Sequence, residues 1–123
     1  MKRIIATPDA PAAIGPYSQA VETNGILFVS GQLPVNPVTG EIPSGIEAQT
    51  RQSLENIMAI LKQAGLGPDN VAKTCVLLQH ISDFAAMNAV YAEFFPADKP
   101  ARVCYEVAAL PKGALVEIDA IAG

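Results

Sequence analysis

Two patterns, one typical of a strand and one of a helix, follow each other in the stretch "VAKTCVLLQHISDFAAMNAVYAEFFP", residues 71 to 96. Its first nine residues, Val71 to Gln79, are rich in β-branched and apolar side chains and have the length of a strand. Ser82 is a favoured helix N-cap residue, and apolar residues then recur at helical spacing up to Pro96, which cannot continue a helix. The stretch therefore predicts a strand followed by a helix that begins at Ser82 and ends near Phe95.

Two more strands are predicted after this helix, at about residues 101–107 and 115–122. Before it, β-rich runs occur at residues 3–6, 17–22 and 26–30, and "ETNG" between the last two runs contains the Asn-Gly pair of a tight hairpin. Another helix is predicted to begin at Ser44, where Ser44 and Glu47 match a capping box, and to end at Gly65.

The order of these elements is strands, helix, strand, helix, strand, strand. This order predicts an α+β fold in which a mixed β-sheet carries both helices on one face, and residues 1–123 form a single domain. Segments 26–29 and 76–78 are apolar on both faces, although two helices cover only one. We therefore expect the uncovered face to pack against another subunit.

Composition narrows the choice of partners. The net charge is −4, and the eight basic residues are scattered along the chain, so we expect neither nucleic acid nor an anionic membrane as a partner. The N-terminus has only a three-residue apolar run, which predicts neither a signal peptide nor a membrane span and hence a cytoplasmic protein. Cys75 and Cys104 lie in apolar runs and are expected to be free thiols.

The sequence lacks the motifs of metal-dependent, nucleophile-elbow and phosphate-binding enzymes. The single histidine, His80, excludes a two-histidine metal site, the cysteines are far apart in sequence, and no nucleophile-elbow or phosphate-binding glycine pattern occurs. No metal or cofactor is expected. Five polar residues in apolar surroundings remain as candidates: Tyr17, Ser30, Asn88, Arg102 and Glu117. Each of them alone also fits a purely structural role.

Five segments together match one family: "GPYSQAV" (15–21), "VSGQLPVNPVTGEIP" (29–43), "QTRQSLENI" (49–57), "DFAAMNAVYAEFF" (83–95) and "PARVCYEVAALPKGALVEIDAIA" (100–122). In this order they resemble the Rid family, the YjgF-type reactive intermediate deaminases, over residues 3–122. The resemblance implies a chorismate-mutase-like fold and a homotrimer with sites between subunits. It also implies hydrolysis of 2-imino acids, such as 2-iminopropanoate and 2-iminobutanoate, to 2-keto acids and ammonia.

The resemblance also implies roles for individual residues. Arg102 would bind the substrate carboxylate, aided by the backbone N–H of Cys104, and Glu117 would activate the attacking water. The residues that would enclose the substrate are Tyr17, Ser30, Gly31 and Asn88. One departure is the short segment before "PAR", which places Lys99 ahead of Pro100 and is expected to alter the rim of the pocket.

Three other functions stay open at this point. A non-catalytic module that binds keto or imino acids would need Arg102 but no acid such as Glu117. An endoribonuclease or translation inhibitor, a description that some relatives carry, is disfavoured by the acidic chain and the lone histidine. A holdase-like chaperone would act independently of Arg102.

Overall fold

A six-stranded mixed sheet forms the centre of the computed structural model, which describes residues 1 to 123. Its strands in chain order are β1 (Arg3–Ile5), β2 (Ala20–Thr23), β3 (Ile26–Gln32), β4 (Val71–Leu78), β5 (Ala101–Glu106) and β6 (Val116–Ala122). Their order across the sheet is β1-β2-β3-β6-β4-β5. Only β4 and β5 are parallel, because a helix lies between them in the chain, while every other pair is antiparallel.

Two helices, α1 (Ile46–Gln63) and α2 (Phe84–Phe94), pack against each other and cover one face of this sheet. From α1, Leu54, Ile57 and Leu61 are fully buried, and α2 adds Met87. The sheet meets them with a single set of alternate residues, which includes Leu27, Val76 and Ile118. The predicted α+β fold, with a mixed sheet and two helices on one face, is confirmed.

The helix starts differ from the prediction. The N-cap of α1 is Gly45, which has a left-handed φ of 91° and makes no side-chain cap bond, so the Ser44–Glu47 capping box is wrong. Ser44 lies one residue too early to reach the first free amides of the helix. Ser82 lies in a 3₁₀ turn, and α2 begins two residues later.

The predicted end of α1 and the predicted hairpin are confirmed. Gly65 has a φ of 77°, and the amide of Leu66 donates to the Leu61 carbonyl at 2.8 Å, as in a Schellman motif. Asn24 and Gly25 both have positive φ and connect β2 to β3, as the Asn-Gly pair predicts.

The second strand is shorter than predicted, because residues 17–19 belong to a loop. Gln19 directs its side chain to the backbone of the preceding loop, and pairing with β3 begins only at Ala20. The third strand, in contrast, extends two residues past Ser30 through an irregularity in its pairing with β6. This irregularity positions the candidate site.

No helix covers the second face of the sheet, which we call the open face. Large apolar side chains are exposed on it, among them Phe28, Val103 and Tyr105. The surface that the sequence predicts to pack on another subunit is therefore present in this chain.

Neither helix is both long and apolar enough to span a membrane.

Candidate active site

The pairing of β3 with β6 is interrupted between Val29 and Gln32, which leaves Ser30 and Gly31 in a bulge. Gly31 lies directly against Glu117 of β6, and a Cβ built on Gly31 would overlap Glu117 Oε2 and come within 3.1 Å of its Cδ. Only glycine lets the carboxylate approach the backbone this closely. The bulge and the glycine together determine where the Glu117 carboxylate lies.

Glu117 is half-buried and projects to the open face, because it alternates with the buried residues Val116 and Ile118. Neither ion pair of the chain involves it. Burial raises the pKa of the Glu117 carboxyl above its ordinary value of 4.5, and the negative charge of Asp119 on the same face of β6 raises this pKa further. The carboxyl is therefore suited to exchange protons closer to neutral pH than an ordinary glutamate.

Glu117 lies in a cleft of about 640 Å³, which we call the acid cleft. Three of the predicted substrate-binding residues line it as well, namely Tyr17, Ser30 and Gly31. Tyr17 is half-exposed and therefore does not belong to the hydrophobic core. The hydroxyl of Ser30 donates to the Ser18 carbonyl at 2.6 Å, so a ligand would meet it as an acceptor.

Gln19 shapes one wall of the acid cleft, a role that the sequence did not reveal. It is 5% exposed, and its side-chain amide donates to the carbonyls of Thr7 (3.0 Å) and Pro11 (2.8 Å) while its oxygen accepts from the Thr7 amide at 2.7 Å. These bonds hold an otherwise irregular segment that carries Pro11 and Ile14 into the cleft wall.

Arg102 lies on the other face of the sheet, beside Asn88, Tyr91 and Phe84 of α2. We call these four residues the arginine cluster. Arg102 Nη1 donates to Asn88 Oδ1 of α2 at 2.7 Å. Its guanidinium carbon lies 4.8 Å from the centre of the Tyr91 ring and 5.5 Å from that of Phe84. The side-chain oxygen of Asn88, a polar residue on an apolar helix face, thereby has Arg102 as its hydrogen-bond partner.

Cys104 follows Arg102 on the same face of β5 and packs against the hydrophobic core. Burial raises the pKa of its thiol, so the group is held protonated at neutral pH and is a poor nucleophile. Both cysteines are free, as predicted. Lys99, the departure noted before "PAR", donates to the Pro96 carbonyl at 3.1 Å and remains exposed.

The predicted site residues thus form two groups that do not meet within one chain. The acid cleft contains Tyr17, Ser30, Gly31 and Glu117, and no residue of α2 or β5 lines it. Arg102, Asn88 and Cys104 lie on the face that the helices cover. Neither ion pair of the chain joins Arg102 to Glu117.

Known proteins share this fold and sequence over nearly their whole length. The family profile described as Endoribonuclease L-PSP matches residues 7–123. A solved structure of a Rid family protein of unknown function from Yersinia pestis is 52% identical, with a TM-score of 0.97 over 100% of this chain and 99% of that one. This chain belongs to the YjgF/Rid family.

Curated members of the Rid family carry two kinds of name. A RutC family protein from Pasteurella multocida is 55% identical over 99% of this chain and 98% of its own length. A 2-iminobutanoate/2-iminopropanoate deaminase from Escherichia coli is 51% identical over 99% of this chain and 98% of its own length. The resemblance inferred from the sequence is confirmed at the level of the Rid family.

Replacement of Gly31 by alanine is expected to displace the Glu117 carboxylate, because the new Cβ would overlap Oε2. The Rid fold itself should persist, since Gly31 has no positive φ. We expect turnover to fall by about tenfold to a hundredfold, in keeping with the effect of a small misplacement of a catalytic group. The matched control is Gly67→Ala, where a Cβ meets no atom within 4 Å. Equal activity of Gly31→Ala and the parent would show that the position of Glu117 is unimportant.

Proposed function

We propose that this protein hydrolyses reactive 2-imino acids, such as 2-iminopropanoate and 2-iminobutanoate, to 2-keto acids and ammonia. The observation that carries the proposal is the half-buried Glu117 carboxyl, whose pKa is raised and which lies against Gly31 in a cleft. The deaminase name of a relative that is 51% identical supports the choice of reaction. A protein that only bound keto or imino acids would have no use for such a group.

Glu117 acts as the proton acceptor for water in this proposal. Protonation of the imine nitrogen makes the carbon of the C=N bond electrophilic. Water adds to this carbon, and one proton of the water passes to the Glu117 carboxylate. The resulting carbinolamine receives that proton on nitrogen, the C–N bond breaks, and its electron pair leaves with ammonia. The proton of the remaining hydroxyl passes to ammonia, so each protonated imine and one water give one keto acid and one ammonium ion.

Arg102 binds the carboxylate that every 2-imino acid carries. A guanidinium has five N–H donors, and Asn88 occupies one of them at 2.7 Å. The remaining donors can form a bidentate pair with a carboxylate, which a single ammonium group cannot reproduce. A charge-assisted hydrogen bond of this kind contributes about 1.5–3 kcal/mol. The backbone N–H of Cys104 is proposed to assist it.

The functional form is proposed to be a homotrimer with one site at each interface between subunits. The separation of Arg102 from Glu117 within one chain and the exposed apolar residues of the open face support this arrangement. Light scattering at micromolar concentration should give three times the 12.9 kDa of the chain. A monomeric mass would contradict the trimer.

Mixed assemblies should test whether the site is shared. Arg102→Ala and Glu117→Gln subunits, each inactive alone, are refolded together in equal amounts. If each site takes Arg102 from one subunit and Glu117 from its neighbour, about a quarter of the sites in random assemblies are intact, and activity should return to about that fraction of the parent. A mixture no more active than its two components would place the complete site within one subunit.

The reaction itself is tested by ammonia release. A pyridoxal-phosphate-dependent dehydratase generates the imine in a buffer without nucleophilic amines, and the protein should speed the appearance of ammonia and keto acid. An unchanged rate over a panel of imino acids of graded side-chain size would refute the proposed deaminase. Release of nucleotides from RNA instead would favour the endoribonuclease description, for which the cleft offers Lys112 as its only cation.

A further inference from the structure

The guanidinium of Arg102 lies against two aromatic rings on the same side of α2. Tyr91 and Phe84 are seven residues apart and hence on one helix face, with Asn88 between them. Their ring centres are 4.8 Å and 5.5 Å from Arg102 Cζ, within the range of cation–π attraction. Together with the bond to Asn88, these contacts restrict Arg102 from several directions.

The inner ring is rigidly held. Tyr91 is 6% exposed, and its hydroxyl hydrogen-bonds the Thr74 hydroxyl at 2.7 Å in a buried position. Thr74 pairs with Arg102 across the parallel strands β4 and β5, so the residue that anchors the ring is the strand neighbour of the arginine. The Tyr91 ring therefore has a fixed position next to the guanidinium.

The outer ring is at the surface. Phe84 is the first residue of α2 and remains 38% exposed. Exposure of a large apolar ring to water is unfavourable. Phe84 does not belong to the hydrophobic core cluster. Its ring centre lies 5.5 Å from Arg102 Cζ, so the exposed Phe84 ring and the buried Tyr91 ring both lie beside the guanidinium.

We propose that Phe84 and Tyr91 are positioning residues that hold the Arg102 guanidinium ready for a carboxylate before the substrate arrives. The inference rests on the proposed function, because it requires that Arg102 binds the carboxylate. A free arginine side chain samples many rotamers and loses that freedom on binding, whereas a pre-positioned one loses little. The two rings thus increase affinity for the carboxylate without touching the reacting C=N bond.

Phe84 is the better residue to test, because its partial exposure lets it be replaced without opening the core. The chain also offers a matched control: Arg51 lies 5.9 Å from the centre of the Phe94 ring, the same kind of contact between an arginine and an α2 aromatic. Arg51 is paired with Glu93 and belongs to neither the acid cleft nor the arginine cluster. Phe84→Leu and Phe94→Leu therefore each remove one contact between an arginine and an α2 ring. Phe94 also packs against the hydrophobic core, so the melting temperature of its variant is measured beside its activity.

Phe84→Leu should raise KM for 2-iminopropanoate and Kd for pyruvate by about two- to fivefold, with kcat nearly unchanged, as expected for the loss of one cation–π contact. Phe84→Tyr should restore both constants, and Phe94→Leu should leave both at the parent values. Thermal unfolding and light scattering of all three variants check that folding and assembly are intact.

The results separate the two proposals. A parent protein that hydrolyses the imine while Phe84→Leu shows unchanged KM and pyruvate Kd would overturn the positioning role and leave the deaminase standing. A fall in kcat alone would also overturn it, since it would indicate an effect on the chemical step. A parent protein that neither hydrolyses the imine nor binds pyruvate would overturn the proposed function and this inference together.

Discussion

Glu117→Gln is expected to lower the turnover of 2-iminopropanoate by about 10²- to 10⁴-fold, the usual contribution of a general base. Glutamine has the shape of Glu117 but cannot accept a proton from water. Pyruvate should still bind with near-parent affinity, because Arg102 is untouched. The measurement is kcat by ammonia release together with a pyruvate titration. Hydrolysis at the parent rate would show that Glu117 is not the base.

The same substitution should stabilise the fold at neutral pH. The pKa of Glu117 is higher in the folded protein than its value of about 4.5 in the unfolded chain. Glu117 therefore contributes fully to folding stability below about pH 4.5, and this contribution is lost as the pH rises through the folded pKa. Glutamine is never charged and avoids this loss. The melting temperature of Glu117→Gln should therefore exceed that of the parent at pH 7, and the difference should shrink below pH 4.

Asp119→Asn is the matched control for Glu117→Gln. Asp119 lies two residues along β6 on the same open face, is half-buried as well, and makes Glu117 harder to ionise. Its replacement should preserve turnover and shift the rising limb of the pH–rate profile to lower pH, because Glu117 would then lose its proton more readily. An unshifted profile would mean that the limb belongs to another group.

Arg102→Lys should weaken pyruvate binding and lower kcat/KM for 2-iminopropanoate by about tenfold to a hundredfold, equivalent to the loss of one charge-assisted hydrogen bond. Lysine retains the charge but not the planar fork, so it cannot form a bidentate pair with a carboxylate. We also expect kcat to fall, since the imine carbon would be misplaced relative to the water.

Arg51→Lys provides the comparison for this variant. Arg51 is also an arginine beside an aromatic ring and a hydrogen-bonding partner, but its partner is the exposed Glu93. Its replacement should leave pyruvate affinity and turnover at the parent values, since exposed ion pairs contribute little. If Arg102→Lys bound pyruvate as tightly as the parent, the carboxylate would have to be held elsewhere.

Much of the fold could be predicted because it depends on local chemistry. Gly65 ends α1 and Asn24–Gly25 turns the β2–β3 hairpin, since both positions need a positive φ that few residues adopt readily. Alternation along β6 assigns Ile118 to the core and Glu117 to the other face. The starts of α1 and α2 were predicted wrongly, because Gly45 with its positive φ is the N-cap of α1 and a 3₁₀ turn that contains Ser82 precedes α2.

The candidate residues could be named from the sequence, but their partners could not. Asn88 was recognised as a polar residue on an apolar helix face, yet only the packing of α2 against β5 identifies Arg102 as its partner. Phe84 and Tyr91 are among the apolar residues that recur at helical spacing before Pro96, and their separation of seven residues was the one available signal that they share a target. Gln19 gave no signal, because its hydrogen bonds go to backbone groups that have no sequence signature.

Side-chain periodicity, turn residues and local motifs were enough to predict the element types, the single layer of helices and the family. The contact of Gly31 with Glu117, and the location of Arg102 on the opposite face of the sheet, became known only from the folded chain. Strand order, register and the β3 bulge bring together residues far apart in the chain. These contacts arise from packing over the whole sheet, and no local stretch of sequence contains the information that fixes them.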